Sequence, residues 1–334
     1  MTPADAAHSP AMAFDVLRDA EGDTLALDAV FANFWPAYQK WMARARGRLT
    51  AQESRARLHE HMPELTPIFD ELLERFGGKA PIARFLSLYK PPALVRGCTQ
   101  AIWQGEDGPA LVRNYDHAPH LADGVVLHAD WGGMRTLCMS DCIWGALDGI
   151  NEHGLCVALA FGGRPTTGDG FASPLLVRYV LQTCTTTDEA AEALGRLPCA
   201  MTYTFACLDA RGEHATAYLA PDRPARIDRA VASANHQGKV EWPQYAQSCK
   251  TVERLKQARA LLEQPGQTLE GLIDAFLKAP IYRTAYSKGS GTLYTSVYTP
   301  GDLGQDLRWP ADRLHQFVGR YEPARVHTQL GLAD

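Results

Sequence analysis

The sequence predicts an α+β protein in which two β-sheets pack face to face and helices cover their outer surfaces. Strand-like segments come in runs, and the runs are separated by pairs of helical segments, an order typical of packed sheets with helices outside them. The chain has 334 residues, 46% of them hydrophobic, which is enough to bury a full core within one large domain or two. No internal repeat or low-complexity linker divides it.

The first part of the chain is predicted to be helical. Residues 25–48 are rich in alanine, aromatic residues and arginine, and residues 64–76 place leucine, isoleucine and phenylalanine at helical spacing. Pro91 and Pro92 then end any helix and impose extended backbone. We therefore expect residues 1–97 to form a helical leader and residues 98–334 to form the sheet-containing domain.

The sheet-containing domain is expected to begin with short strands and to continue with two pairs of helices. Ser173 followed by Pro174 predicts a helix capped by the serine, and Thr186 with Glu189 has the form of a capping box. Apolar runs bounded by turn residues predict the strands. Strands are expected at residues 101–103, 110–115, 125–129, 154–161, 203–208, 215–219, 227–232, 292–298 and 306–309, and further helices at residues 248–263 and 268–277.

Charge and composition argue against several classes of partner. The net charge of −5 and the pI near 6.1 give no support for binding nucleic acid or a membrane. The chain has no run of 18 apolar residues, and residues 1–8 lack a basic segment followed by an apolar one, so we expect a cytoplasmic protein without a span or secretory signal. One arginine-rich stretch is interpreted as a solvated helix face: Arg44, Arg46, Arg48, Arg55 and Arg57.

The eight cysteines are expected to be reduced thiols, because they are scattered through a long chain. Cys138 and Cys142, with His128 and His153 nearby in sequence, carry donor atoms suited to zinc. Zinc sites usually have tighter paired spacings, so buried cysteines are the simpler interpretation. We expect no metal and no cofactor, since no glycine-rich nucleotide motif is present either.

The strongest chemical signal is the Gly97-Cys98 junction about a third of the way along the chain. An Asp-Gly turn at residues 107–108 predicts a hairpin formed by the strands before and after it. A hairpin centred on residue 107 places Cys98 directly opposite Asp116, with Cβ atoms roughly 5 Å apart. Asp116 would then orient an amine at Cys98, or it would simply cap the strand end.

Arg113 is the second charged candidate. It lies three residues before Asp116, so a regular strand sends the two side chains to opposite faces. Both reach Cys98 only if the strand ends or bulges near Tyr115. An arginine beside the sulfur would lower the thiol pKa and favour the thiolate. A surface position or a contact to a substrate carboxylate is the alternative.

The Gly97-Cys98 junction is interpreted as a self-cleavage site. Cleavage there makes Cys98 an amino terminus that combines a thiol nucleophile with an α-amine of pKa about 7.7–8, a base suited to neutral pH. Glycine best tolerates the strained geometry that attack on the preceding carbonyl requires. The residues therefore predict a self-processing enzyme that acts on an amide bond.

Four motifs resemble, in order and spacing, the penicillin acyltransferase family (acyl-coenzyme A:6-aminopenicillanic acid acyltransferase-like proteins), which is related to the choloylglycine hydrolases. They are Arg-Gly-Cys-Thr at residues 96–99, Arg-Asn-Tyr-Asp at 113–116, Gly-Ile-Asn-Glu-His-Gly-Leu at 149–155 and Ala-Asn-His at 234–236. The resemblance covers nearly the whole chain, including the leader and the strand at residues 292–298. It implies a four-layer αββα sandwich of N-terminal-nucleophile hydrolase type and autocatalytic cleavage before Cys98.

The resemblance also implies roles for individual residues. Cys98 becomes the nucleophile, Asp116 the carboxylate that orients its amine, Arg113 the basic residue beside it, and Asn235 the amide that binds the oxyanion. Asn235 also has a simpler interpretation as a turn residue. A second oxyanion asparagine of the choloylglycine hydrolases is missing from residues 156–163, which favours the acyltransferase branch.

The expected function is hydrolysis or transfer of an acyl group at a linear amide through a Cys98 thioester. The partner is then a small-molecule amide and, on the transferase branch, an acyl-coenzyme A donor, and the two fragments of the cut chain stay associated. One alternative is an unprocessed thiol hydrolase that uses Cys98 with His236. Another is a non-catalytic member that binds an acyl ligand. Four aromatic residues line an acyl pocket or belong to the core: Trp131, Trp144, Phe161 and Tyr203. The polar residues 151–153 are interpreted as a turn before a buried strand.

Overall fold

The computed structural model describes residues 10–45, 47, 49–95 and 97–331. Arg46 and Arg48 of the predicted arginine-rich face, Arg96 of the first motif and residues 1–8 lie outside that part. The described residues form fifteen strands: β1 Ala11–Asp19, β2 Gly97–Gly105, β3 Gly108–His117, β4 Val125–Trp131, β5 Met134–Asp141, β6 Gly145–Asn151, β7 Cys156–Phe161, β8 Tyr203–Leu208, β9 His214–Ala220, β10 Arg223–Asp228, β11 Ala232–Ser233, β12 Gly291–Thr299, β13 Gly304–Arg308, β14 Arg313–Phe317 and β15 Arg325–Gln329.

The α-helices of the described residues fall into a leader group and three later groups. They are α1 Leu25–Met42, α2 Ala51–His61, α3 Thr66–Arg75, α4 Ala80–Ser87, α5 Ser173–Thr183, α6 Thr187–Arg196, α7 Pro243–Cys249, α8 Thr251–Leu262 and α9 Leu269–Phe276. The capping box predicted for α6 is confirmed, because Thr186 and Glu189 cap each other's backbone N–H groups. The cap predicted for α5 is wrong by one residue: Ala172 is the cap, and Ser173 is the first helical residue.

Two sheets form the centre of the protein, with helices on both outer sides. The nine-stranded sheet has the order β10-β9-β8-β7-β6-β5-β4-β1-β15, and the six-stranded sheet has the order β11-β2-β3-β12-β13-β14. Strands β2 and β3 pack on β7 and β8 of the other sheet. Helices α5 and α6 cover the nine-stranded sheet, and α8 and α9 cover the six-stranded sheet. The predicted αββα sandwich is therefore confirmed.

The leader differs from its prediction, because it contains a strand. Strand β1 lies between β4, with which it pairs in parallel, and β15, with which it pairs antiparallel. Phe14 of β1 is fully buried and packs on Trp309 at 4.7 Å between ring centroids. The helical periodicity of the sequence begins after residue 24 and carries no information on residues 11–19. The prediction of a helical leader is therefore wrong for residues 11–19, which form a strand of the sandwich.

The strand predicted at residues 227–232 is also corrected. Its first two residues end β10 in the nine-stranded sheet, and its last residue begins β11 in the six-stranded sheet. A chain that passes from one sheet to the other must break its strand, and the apolar residues between 227 and 232 gave no sign of that break. The short β11 then pairs with β2 and leads directly to Asn235.

Candidate active site

Cys98 lies in β2 on the face that packs against the nine-stranded sheet, and it is fully buried. The predicted hairpin is confirmed, but its register is wrong by one residue. Cys98 lies opposite Tyr115, and Asp116 lies opposite Gly97. The reason is the position of the turn: Gly105 pairs with Gly108, so the hairpin is centred between residues 106 and 107 instead of on residue 107.

The corrected register brings Arg113 to the face of Cys98 without a bulge. Directly opposed residues of an antiparallel pair share a face, so Cys98, Tyr115 and Arg113 all point between the sheets. Nη2 of Arg113 donates to Sγ of Cys98 at 3.3 Å. Burial raises the pKa of the Cys98 thiol, and the Arg113 guanidinium opposes that rise.

Arg113 is itself held by a buried polar cluster that sequence reasoning did not identify. Its Nη1 donates to Asp148, with which it forms a fully buried ion pair, and to the hydroxyl of Tyr294 at 3.0 Å. Tyr294 and Tyr298 also donate to the Asp148 carboxylate. Burial opposes the charge on Arg113, but Cys98, Tyr294 and Asp148 around it raise its pKa well above the usual value.

Asp116 lies on the opposite face of β3, toward the outer helices. Its carboxylate accepts hydrogen bonds from Thr292 Oγ1 at 2.7 Å and Arg254 Nη1 at 3.2 Å. It also packs on Gly97: a Cβ atom at that glycine would lie 2.9 Å from both Cβ and Oδ2 of Asp116. Asp116 and Arg113 therefore flank the junction with Cys98 from opposite faces of the sheet.

Asn235 is in direct contact with the backbone of Cys98. Its Oδ1 accepts from the Cys98 backbone N–H at 3.0 Å, and its Nδ2 donates to the carbonyl oxygen of Phe161 at 3.0 Å. The amide carries two N–H bonds, so one remains for another acceptor. Asn235 follows β11, and the hydrogen bonds at its Oδ1 and Nδ2 fix the orientation of its side chain.

Arg254 is the main residue of the site that sequence reasoning missed. It is fully buried and donates to the Cys98 carbonyl oxygen at 2.8 Å, to Asn235 Oδ1 at 2.6 Å and, as noted, to Asp116. It shares the buried stripe of α8 with Ala258 and Leu261. The sequence did carry one signal for this residue: Arg254 occupies a position where the helical pattern of α8 otherwise has apolar residues.

His236 does not contact the Cys98 thiol in the described structure. Its Nδ1 lies 2.9 Å from Oγ1 of Thr251, and it is half-buried. Burial lowers the pKa of His236, and the nearby Arg259 and Arg254 lower it further.

The four candidate pocket aromatics separate into two groups. Phe161 and Tyr203 pack together at 5.8 Å between ring centroids, and Phe161 also contacts Asn235. Trp131 donates to Asp19 and Trp144 to the carbonyl oxygen of Leu86, so both tryptophans hold the leader against the sheet.

The structure gives no support for the zinc interpretation. Within the described residues, no three His, Cys, Asp or Glu side chains lie together as metal ligands. Cys138 accepts a hydrogen bond from the buried Arg178 at 3.0 Å, and Cys142 donates to Asp141. Over the same residues, no helix has the length and apolar character of a membrane span.

Comparison with known proteins identifies similarity over most of the chain. The family described as acyl-coenzyme A:6-aminopenicillanic acid acyl-transferase matches residues 103–314, a range that includes Asp116 and Asn235 and begins after Cys98. No curated protein matches the chain.

Three solved structures have a similar backbone fold. A mutant of conjugated bile acid hydrolase from Clostridium perfringens is 11% identical, with a TM-score of 0.48 over 67% of this chain and 97% of its own. Penicillin V acylase from Agrobacterium tumefaciens is 15% identical, with a TM-score of 0.45 over 65% of this chain and 84% of its own. An N-acylethanolamine-hydrolyzing acid amidase ortholog from Caenorhabditis elegans is 16% identical, with a TM-score of 0.45 over 61% of this chain and 93% of its own.

Proposed function

The chain belongs to the acyl-coenzyme A:6-aminopenicillanic acid acyl-transferase family, and from this premise we propose that it is a self-processing amidase or acyltransferase with Cys98 as its nucleophile. The observation that carries the proposal is the environment of the Cys98 main chain. Its N–H is held by Asn235 and its carbonyl oxygen by Arg254, while Arg113 contacts its sulfur. A cysteine whose nitrogen and sulfur both have buried polar partners is suited to serve as nucleophile and base together.

Self-processing begins with attack of the Cys98 sulfur on the carbonyl carbon of Gly97. The bond from that carbon to the Cys98 nitrogen breaks, and the nitrogen leaves as an amine that carries the proton lost by the thiol. Water then hydrolyses the thioester, leaving a carboxylate on Gly97 and a free amino terminus on Cys98. Asn235 Oδ1, which accepts from this nitrogen in the uncut chain, is positioned to hold the new amine.

Turnover of a substrate amide repeats the same chemistry. The α-amine of Cys98, with a usual pKa of about 7.7–8, accepts the thiol proton as sulfur attacks the acyl carbon. The proton passes to the leaving amine, and a thioester remains until water or an acceptor amine takes the acyl group. Arg113 supplies positive charge to the sulfur, and the second N–H of Asn235 is suited to the developing oxyanion, an interaction typically worth about 3 kcal/mol of barrier.

The intact mass of the purified protein tests self-processing. We expect two fragments, residues 1–97 and the 237 residues 98–334, that elute together from a sizing column. Cys98→Ala should stay in one piece, whereas Cys207→Ala, at another buried cysteine in β8, should be cut normally. A full-length wild-type chain that hydrolyses amides would refute the terminal-amine mechanism.

Substitution of His236 separates this mechanism from a Cys-His hydrolase. His236→Ala should keep most of the amidase activity, since the imidazole is bonded to Thr251 and does not contact the Cys98 sulfur in the described structure. Complete loss of activity in a correctly folded and cut His236→Ala protein would favour the histidine as base.

A further inference from the structure

A cleft of about 590 Å³ opens beside the Gly97-Cys98 junction on the side of Asp116. The end of the leader forms one wall through Val95 and Gly97, and the segment 279–290 before β12 forms the opposite wall. The end of α7 closes the third side at Ser248 and Cys249. The proposed mechanism does not use this space, although it adjoins the bond to be cut.

Among the described residues, three cationic side chains line the cleft: Lys250, Arg283 and Lys288. Arg283 is largely buried and fixed, because its Nη1 donates to Ser290 Oγ at 3.0 Å and its Nη2 to the Ser248 carbonyl oxygen at 3.1 Å. Both lysines are exposed at the rim. Lys250 lies 3.9 Å from Glu253, and within the described part of the chain no carboxylate lies within 4 Å of the Lys288 ammonium.

Within the part of the chain that the structure describes, the lining of the cleft holds one carboxylate, Asp116, and this group already has hydrogen-bond donors. Thr292 and Arg254 donate to it, and Arg283 lies 3.9 Å away. The positive charges of the lysines are therefore not balanced inside the cleft. An excess of one sign in a concave, partly dry site attracts a ligand group of the opposite sign.

We propose that this cleft binds an anionic group of the substrate, a carboxylate or a phosphate, close to the acyl carbonyl. The position follows from Arg283, whose Nη1 lies 3.3 Å from where a side chain would begin on Gly97. An anion held there is only a few bonds from a carbonyl carbon that takes the place of the Gly97 carbonyl. The role in turnover rests on the proposed function, whereas the binding of an anion by the cleft does not.

Binding is best measured on the uncut Cys98→Ala chain by calorimetry. The carboxylate probe is glutarate, with its diamide as the neutral analogue. The phosphate probe is adenosine 3′,5′-bisphosphate, with adenosine as the neutral analogue, because it carries the phosphates expected of a coenzyme A donor. Tighter binding of glutarate favours a carboxylate-bearing amide substrate, and tighter binding of the bisphosphate favours an acyl-coenzyme A donor.

Charge reversal at the rim tests the location. Lys288→Glu and Lys250→Glu should each raise the Kd of the preferred anion about fivefold or more, since each replaces an attraction with a repulsion. Lys239→Glu, at an exposed lysine outside the cleft, should leave that Kd unchanged. The proposal is overturned if neither anion binds more tightly than its neutral analogue, or if all three variants weaken binding equally.

The outcome separates this inference from the proposed function. An uncut and inactive wild-type chain that still binds an anion through Lys288 refutes the proposed function and keeps the anion site. A cut and active chain that binds each anion no more tightly than its neutral analogue refutes the anion site and leaves the proposed function standing.

Discussion

Gly97→Ala is the substitution that most directly probes the self-cleavage geometry. The backbone of Gly97 is not in the left-handed region, so an alanine is acceptable to the main chain. The obstacle is space: the added Cβ would lie 2.9 Å from Cβ and Oδ2 of Asp116 and 3.3 Å from Nη1 of Arg283. Asp116 cannot easily move, because it is fully buried and bonded to Thr292 and Arg254.

The expected size of the effect follows from these contacts. Adding a methyl group to a closely packed interior typically costs about 1–3 kcal/mol through displaced neighbours. Here the displaced groups are the carbonyl under attack and the carboxylate beside it, so the loss falls mainly on the geometry of the reaction. Each 1.4 kcal/mol corresponds to about a tenfold change in rate, and we expect self-cleavage to slow by about 10- to 100-fold.

Processing of freshly folded precursor, followed over time by intact mass, measures this rate. Gly301→Ala is the matched control, because no atom lies within 4 Å of an added Cβ at that glycine and its backbone is not left-handed. We expect the control to be cut at the wild-type rate and both variants to fold. Normal cleavage of Gly97→Ala would show that the contact between Gly97 and Asp116 does not position the scissile bond.

Three further predictions test the surrounding structure. Arg254→Lys should keep the charge near Asp116 but lose most of the simultaneous hydrogen bonds, so processing measured by intact mass should fall more than tenfold while the fold persists. Asp148→Asn should lower the free energy of unfolding, measured in urea, by about 3–5 kcal/mol, because it leaves Arg113 as an uncompensated buried cation. Asp148→Asn should cost less when Arg113→Met is already present. Additive costs of the two substitutions would contradict this reasoning. Burial lowers the pKa of His128 to about 4. As pH falls from about 6.5 to 4, the unfolded chain therefore binds this proton before the folded chain does. The free energy of unfolding should drop by about 3 kcal/mol over that window. Urea unfolding at pH 7 and pH 4.5 should show a smaller acid loss for His128→Gln.

The sequence predicted the features of the site that depend on local rules. A two-residue alternation along β3 and an Asp-Gly turn were enough to bring Arg113, Asp116 and Cys98 together in a hairpin. The register was wrong because the centre of the turn was inferred from a dipeptide, and a small shift of that centre moves every facing pair. In this case the error exchanged the faces: Arg113, not Asp116, shares the face of the Cys98 side chain.

The residues that sequence reasoning missed are those whose role depends on tertiary packing. Arg254 reaches Cys98 across 156 positions of the chain, and Tyr294 reaches Asp148 across 146. The place of Arg254 in the apolar period of α8 indicates burial, but only the packing of α8 on β2 shows that its guanidinium reaches Cys98. The same holds for Asp148, which lies one residue before a recognised motif and becomes important because two sheets enclose it.

The position of β1 determines what the proposed self-cleavage would do to the protein. Strand β15 pairs with β1 at the edge of the nine-stranded sheet, and β1 in turn pairs with β4. Dissociation of the fragment before the cut would leave both neighbours without their ladder partners and would expose the fully buried Phe14 to water. The proposed cut would instead create chain ends in the six-stranded sheet, where β2 pairs with β3 and β11. The proposed cleavage would therefore free the Cys98 nitrogen and release the residues before it from the cleft, and we expect the leader to stay in the sandwich through β1.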